Sequence, residues 1–234
     1  TAQNTLGVRD VFALKKSLIR NQIDAILEDL PVKAIKIGML FDSEIIKEVS
    51  ETLRRHKFQG SIVLDPVMIA TSGSNLLLDS AKQAMIENLF PLVDIITPNL
   101  FEACTLAGVE SINNLSQQRE VAALIQEKLK TKRVLIKGGH FQEEYCTDIL
   151  LDSDKNFYEY QSKRIDSQNT HGTGCTLSSA FAAALARGED LTAAATSAKK
   201  YIEGAIISGA EYEIGRGHGP VNHFWIQIRN GISV

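Results

Sequence analysis

The chain has 234 residues, 44% of them hydrophobic and 23% charged, with a formal net charge of -3. That suits one large α/β domain and carries no basic excess of the kind that binds nucleic acid or an anionic membrane. No apolar run approaches the ~20 residues of a membrane span, and three scattered cysteines support neither a disulfide framework nor a zinc site. Cysteines used this sparingly point to a reducing cytoplasm.

Val11, Leu14, Leu18, Ile19, Ile23, Ile26 and Leu27 recur at helical spacing, which predicts a helix over 11–30 closed by Pro31. Residues 34–40 read as a short buried strand ending at Gly38-Met39-Leu40. Asp42 and Ser43 can cap a second helix with Ile45, Ile46, Val49 and Leu53 on one face. A strand over 61–66, a helix over 79–90 stopped by Pro91, and a strand over 93–99 follow. Next come a short helix over 100–107, an amphipathic helix over 115–130 and a strand over 133–139. Segments 147–151 and 157–161 flank a polar turn and read as a hairpin. Two Ala-rich helices, one from about Gly174 to 186 and one over 191–208, complete the pattern. Strand–helix alternation of this period predicts a mostly parallel sheet covered by helices on both faces, and no linker or repeat divides it.

Chemistry concentrates at residues 169–176, Asn-Thr-His-Gly-Thr-Gly-Cys-Thr, just where a helix begins. Glycines allow a tight turn with uncovered N–H groups, and a helix start aims its positive dipole end at whatever sits above it. That is an anion site, most naturally for phosphate. A helix start also favours the thiolate form of a cysteine, and Cys175 is there. For the loop alone, a tight turn with no ligand stays open as the other reading.

Ligands of such sheets bind at the carboxyl ends of the strands. Those ends carry Gly38-Met39, Asp65-Pro66-Val67-Met68, Pro98-Asn99 with Glu102, and Lys137-Gly138-Gly139-His140. Lys137 would neutralise phosphate charge, and Asp65 and Glu102 would hold a hard cation directly or through its waters. Each alone could cap a turn; several at equivalent places, with the anion loop, indicate a polyphosphate–Mg²⁺ site.

Other features read blandly. There is no Walker A sequence. Gly215-Arg216-Gly217-His218-Gly219-Pro220 reads as a surface loop, and His56, His140, His171, His218 and His223 show no metal-ligand spacing. Cys104 and Cys146 read as packing residues, Met39 and Met68 as core or pocket wall, and Phe224 and Trp225 as anchors of the tail.

Taken in register, these stretches carry a resemblance. Residues 36–40 (Lys-Ile-Gly-Met-Leu), 64–68 (Leu-Asp-Pro-Val-Met), Thr97-Pro98-Asn99 with Glu102-Ala103, 137–140, 169–176 and 217–221 resemble the hydroxymethylpyrimidine/phosphomethylpyrimidine kinases of thiamine biosynthesis. These belong to the ribokinase-like superfamily, and the resemblance covers essentially the whole chain. It implies a three-layer αβα fold, ATP and Mg²⁺ as cofactors, and two successive phosphorylations. The acceptors would be 4-amino-5-hydroxymethyl-2-methylpyrimidine and then its monophosphate. It further implies an anion hole at Gly172, Thr173 and Gly174, and Cys175 as general base. Lys137, Thr170, Asp65 and Asn99 would lie near the nucleotide, with Glu102 and Asp65 near the metal. Gln3, Met39 and Val67 would face the pyrimidine. Relatives of this kind are commonly homodimers.

The family begins with a strand, a glycine-rich turn and a helix before the segment matching Thr1. A chain that opens at Thr1 therefore reads as a kinase domain over 1–234 lacking that first strand and turn. Their loss would expose a sheet edge and open one side of the substrate pocket. Three other readings compete: a pyridoxal or pyridoxine kinase of the same branch, an inactive truncated ligand-binding form, and a Cys-based acyl-transfer enzyme. Asn169 and Gln3 lean toward the pyrimidine, intact site residues argue against a binding module, and no paired His and Asp supports acyl transfer.

Overall fold

The computed structural model describes residues 1–68, 79–139 and 144–226. His140, expected at the end of a strand, lies outside the described residues.

Alternation along short strands sets the layers. In β4 (Ser61–Leu64), Ile62 and Leu64 enter one apolar cluster and Val63 the other. β5 (Ile95–Ile96) and β6 (Val134–Ile136) divide in the same way, and all these side chains are buried. Strands buried on both faces need helices on both. The cluster on one face is completed by α2 (Ser43–Arg55), α3 (Asp79–Ala84) with its π-helical continuation Met85–Leu89, α4 (Leu100–Ala107) and α5 (Leu115–Leu129). On the other face lie α6 (Thr173–Ala186) and α7 (Leu191–Gly209). The three-layer αβα expectation is met.

β3 (Ala34–Ile37), β4, β5 and β6 run parallel in that order from one edge. β7 (Tyr145–Leu151) and β8 (Phe157–Lys163) add an antiparallel hairpin, giving a mixed sheet of six strands. Residues 152–156 are too few for the crossover of about a dozen residues that a parallel neighbour needs. Asp152 closes the turn by accepting from the N–H groups of Asp154 and Asn156 at 2.8 and 2.9 Å.

Helices start where short polar side chains satisfy the first free N–H groups. Asp42 caps α2, Asn114 caps α5 and Asp190 caps α7, each accepting at 2.8–2.9 Å. α4 opens on a reciprocal capping box between Asn99 and Glu102.

The structure departs from expectation in three places. The first helix, α1 (Lys16–Asp29), starts later than residue 11, because β2 (Gly7–Asp10) pairs back onto β1 (Ala2–Asn4) as a hairpin. Asn4 drives that reversal by accepting from the Leu6 N–H at 2.9 Å. The continuous strands also end at Ile37, Ile96 and Ile136, short of the polar residues that follow, of which Asn99 and Lys137 still pair through a single parallel bridge. Of the two tail aromatics, only Trp225 is an anchor. A Cβ on Gly204 of α7 would stand 2.5 Å from its indole, whereas Phe224 is 54% exposed. Among the described residues, no helix is long and apolar enough to cross a membrane.

Candidate active site

Asp65 follows β4 at the middle of the carboxyl edge and is 1% exposed. Its N–H donates to the Ile37 carbonyl at 2.9 Å, which fixes where the carboxylate points. Lys137 follows β6, held by its own N–H donating to the Pro98 carbonyl at 2.9 Å. Its amine passes the end of β5 and meets Asp65 Oδ1 at 2.7 Å. Lys36 reaches in from β3 on the opposite side, with Nζ 4.0 Å from Asp65 Oδ2. Ser178 Oγ on α6 donates to the same oxygen at 3.3 Å. One buried carboxylate thus gathers two ammonium groups and a hydroxyl.

The charges are tuned by that crowding. Burial works against the Lys137 ammonium, but the neighbouring Asp65 and Glu102 carboxylates outweigh it and raise the amine above its ordinary value. Glu102 is 3% exposed, and its Oε2 accepts from the Asn99 N–H at 2.8 Å. Its burial pushes the carboxyl up to about 7. Lys137 opposes that, the Asp65 charge adds to it, and the amides of Asn99 and Met68 hold it down.

The glycine-rich loop arrives from above. Gly172 sits at φ +86°, a left-handed conformation that suits glycine, and begins α6. The Thr173 N–H and hydroxyl both turn back to the Thr170 carbonyl, at 3.2 and 2.7 Å. The next N–H groups, of Gly174 and Cys175, find no protein acceptor among the described residues. A Cβ on Gly174 would lie 3.0 Å from Lys137 Nζ and 3.9 Å from Asp65 Oδ2, so this helix start stands directly over the ion cluster. Cys175 is exposed, yet close enough to Lys137 for its anionic form to support the lysine's charge.

The supports of this loop come from far away in the chain. Asn169, buried, donates through Nδ2 to the carbonyls of Gly209 and Tyr212, both at 2.7 Å. Its Oδ1 fills the place a Cβ on Gly219 would need, only 1.9 Å away. The His171 N–H donates to the Gly219 carbonyl at 2.9 Å, and the Val221 N–H returns to the His171 carbonyl at 3.3 Å. Residues 215–220, read from sequence as a surface loop, are exposed at Gly215, Arg216 and His218 but also back the glycine-rich loop, and Gly219 is buried because the Asn169 amide packs on it. The same segment ties down the β1–β2 hairpin, since the Thr5 hydroxyl accepts from the N–H groups of Arg216 and Gly217 at 3.3 Å each.

Among the expected site residues, Asp65, Glu102, Lys137, Gly172, Thr173, Gly174 and Cys175 come together. Thr170 contributes its carbonyl to the loop. Asn99 spends its side chain on the cap of α4, with Oδ1 accepting from the Glu102 N–H at 2.8 Å. Met39 and Val67 are half-buried on the segments after β3 and β4, beside Gly38 and Asp65. Gln3 is exposed on β1, near the Thr5 tether. Sequence reading missed Lys36 and Ser178. Lys36 had a visible signal, a lysine between Ile35 and Ile37 in a buried strand, where an unpaired charge is costly. Ser178 had none beyond standing one helical turn after Gly174.

A divalent cation fits one of the two expected carboxylates. Both Asp65 oxygens already face lysine or serine donors. Glu102 has no ion pair among the described residues, and a carboxyl pushed up to about 7 by burial is a group that a hard cation would return to its charged form.

A mixed sheet between two helical layers, with a helix start poised over a Lys–Asp pair at the strand ends, defines a ribokinase-like small-molecule kinase. The family model for phosphomethylpyrimidine kinase matches residues 1–222, and the chain belongs to that family. It is 44% identical over 227 residues to a hydroxymethylpyrimidine/phosphomethylpyrimidine kinase of Haemophilus influenzae, covering 96% of this chain and 82% of the relative. The crystal structure of a phosphomethylpyrimidine kinase from Clostridium difficile is similar at a TM-score of 0.74 and 42% identity, covering 87% of this chain and 82% of that one. An ADP complex of Bacillus subtilis pyridoxal kinase overlays at a TM-score of 0.84 but 32% identity, covering 96% and 82%.

Proposed function

We propose that this chain transfers a phosphoryl group from ATP to 4-amino-5-hydroxymethyl-2-methylpyrimidine, and then to the resulting monophosphate, in thiamine biosynthesis. The observation that carries the choice of substrate is the contrast in identity. The chain is 44% and 42% identical to relatives named for these pyrimidines, against 32% to the pyridoxal kinase whose backbone overlays better. A pyridoxal kinase of the same branch is the second reading, favoured by that overlay.

The site supports roles for its residues. The free N–H groups of Gly174 and Cys175, the helix start and Lys137 offer positive charge where a transferring phosphoryl group becomes most anionic. Glu102 would hold a divalent cation beside the phosphates, and Asp65 orients Lys137. The primary alcohol must lose its proton as it attacks, and a thiolate at Cys175 takes it. The monophosphate is already ionised near neutral pH and needs no base. Met39 and Val67 would line the pyrimidine pocket, with Gln3 reaching it from the tethered hairpin. The reading also takes the chain as one kinase domain, acting as a homodimer in the cytoplasm.

The test is transfer of labelled phosphate from Mg-ATP to the alcohol, to its monophosphate and to pyridoxal, measured as kcat/KM. Efficient use of both pyrimidines is expected. Preferred turnover of pyridoxal would move the assignment to the second reading, and transfer to no acceptor would refute both.

A further inference from the structure

We propose that Lys36 receives the phosphate of the monophosphate acceptor, so that it serves the second phosphorylation more than the first. The inference rests on the two-step kinase reading given above.

Lys36 shares its one ion-pair partner, Asp65, with Lys137, which holds it far more closely. Its side chain is 19% exposed, so it is largely withdrawn from water. The nearest carboxylate oxygen, Asp65 Oδ2, is 4.0 Å away, too far for a hydrogen bond. The other oxygen of Asp65 already serves Lys137 at 2.7 Å, and among the described residues the Lys36 amine makes no hydrogen bond. A half-buried ammonium without an acceptor costs free energy unless something anionic joins it.

Its place in the fold says which anion. Lys36 enters from β3, whose chain continues into Gly38 and Met39, whereas Lys137 enters from the β6 side. A Cβ on Gly38 would stand 2.7 Å from Lys36 Nζ, so the amine lies over the bare Gly38 backbone, next to Met39. Two ammonium groups thus flank one carboxylate, Lys137 under Gly174 and Lys36 over Gly38, and on the kinase reading the Gly38-Met39 side is where the acceptor lies. A neutral alcohol needs no cation on the acceptor side. A phosphate monoester brings about -1.5 to -2 charges against a γ-phosphate that is itself anionic, and that repulsion needs an offset at the acceptor end.

In that step a non-bridging oxygen of the acceptor phosphate attacks the γ-phosphorus and forms the new P–O bond. The bond from the γ-phosphorus to the β–γ bridging oxygen breaks, and its electron pair leaves on ADP. No proton need be taken from the attacking oxygen. Lys36 holds the acceptor's remaining oxygens and keeps the two phosphates aligned.

The experiment compares kcat/KM for the alcohol and for the monophosphate in the wild type, Lys36→Met, Lys36→Gln and Lys36→Arg. Direct binding of each acceptor is measured alongside, without nucleotide. Loss of a charge-assisted contact should lower kcat/KM for the monophosphate about 10- to 100-fold in Lys36→Met and Lys36→Gln, mostly through KM. Binding of the monophosphate should weaken by a similar factor. The loss for the alcohol should be at least about 5-fold smaller than that for the monophosphate, and Lys36→Arg should restore most of the monophosphate loss. Equal losses for both acceptors, or unchanged monophosphate binding, overturn the proposal and leave Lys36 as a positioning group for Asp65. If the wild type uses neither pyrimidine, the kinase reading itself fails and this inference falls with it.

Discussion

Lys137 and Asp65 stand 72 residues apart in the chain and meet at 2.7 Å under Gly174, where a single added methyl group would touch the lysine amine at 3.0 Å. The strand ends and the start of α6 are therefore one device, with the pair supplying charge and the helix start supplying directed N–H groups.

Gly174→Ala places its methyl against Lys137 Nζ, the free end of a flexible side chain, so the protein should still fold. Alanine is also the better residue within a helix, so the unfolding midpoint should hold or rise. Displacing the amine from the hole should lower kcat about 10- to 100-fold for either acceptor. An unchanged kcat would show that the amine is not required at that point.

Lys137→Met leaves Asp65, 1% exposed, with Lys36 at 4.0 Å as its remaining cation. Stranding a buried carboxylate should cost about 3 kcal/mol of stability, read by denaturant unfolding. Transfer should fall at least about 100-fold for both acceptors. Adding Asp65→Asn should recover much of the stability and none of the activity. If the double variant is no more stable than Lys137→Met, the buried charge is not what destabilises it.

Cys175→Ala separates the base from the hole. The loop N–H groups survive, so transfer to the monophosphate should change less than about 5-fold while transfer to the alcohol falls about 100-fold. Equal losses in both steps would assign Cys175 a positional part only.

Glu102 predicts a pH dependence of stability. Burial favours its neutral form, so the folded chain keeps this proton to higher pH than the unfolded chain. The stabilising contribution is complete below about 4.5 and is lost as pH rises through about 7. The full span amounts to something on the order of 3 kcal/mol. Glu102→Gln keeps the cap geometry and removes the titration, so wild type minus variant stability should decline across that window. A flat difference would mean that the buried carboxyl titrates normally.

Much of this was legible in the sequence because the encoding is local. The cap at Asp42 acts over three residues and the apolar face of α2 over four, so the start and buried face of that helix could be read directly; the Asn99–Glu102 capping box is as local and went unread. The tight turn at 169–176 could be read too, because a glycine in the left-handed region followed by a helix is a short-range signal. So could the cluster of polar residues at strand ends, since parallel strands present their carboxyl ends to one edge.

Tertiary structure alone decided which of those residues meet. Ser178 reaches Asp65 across 113 positions and Thr5 reaches Gly217 across 212, separations over which no periodicity carries information. The hairpin of β1 and β2 is held by strand pairing and by a tether to residues 215–217, and residues 11–15 link it to α1 without regular structure, so the expected helix lost its first turn. Lys36 comes within 4.0 Å of Asp65 only because the sheet sets β3 beside β4. Local chemistry specified the parts, and the long-range packing of a buried carboxylate with its distant partners specified the site.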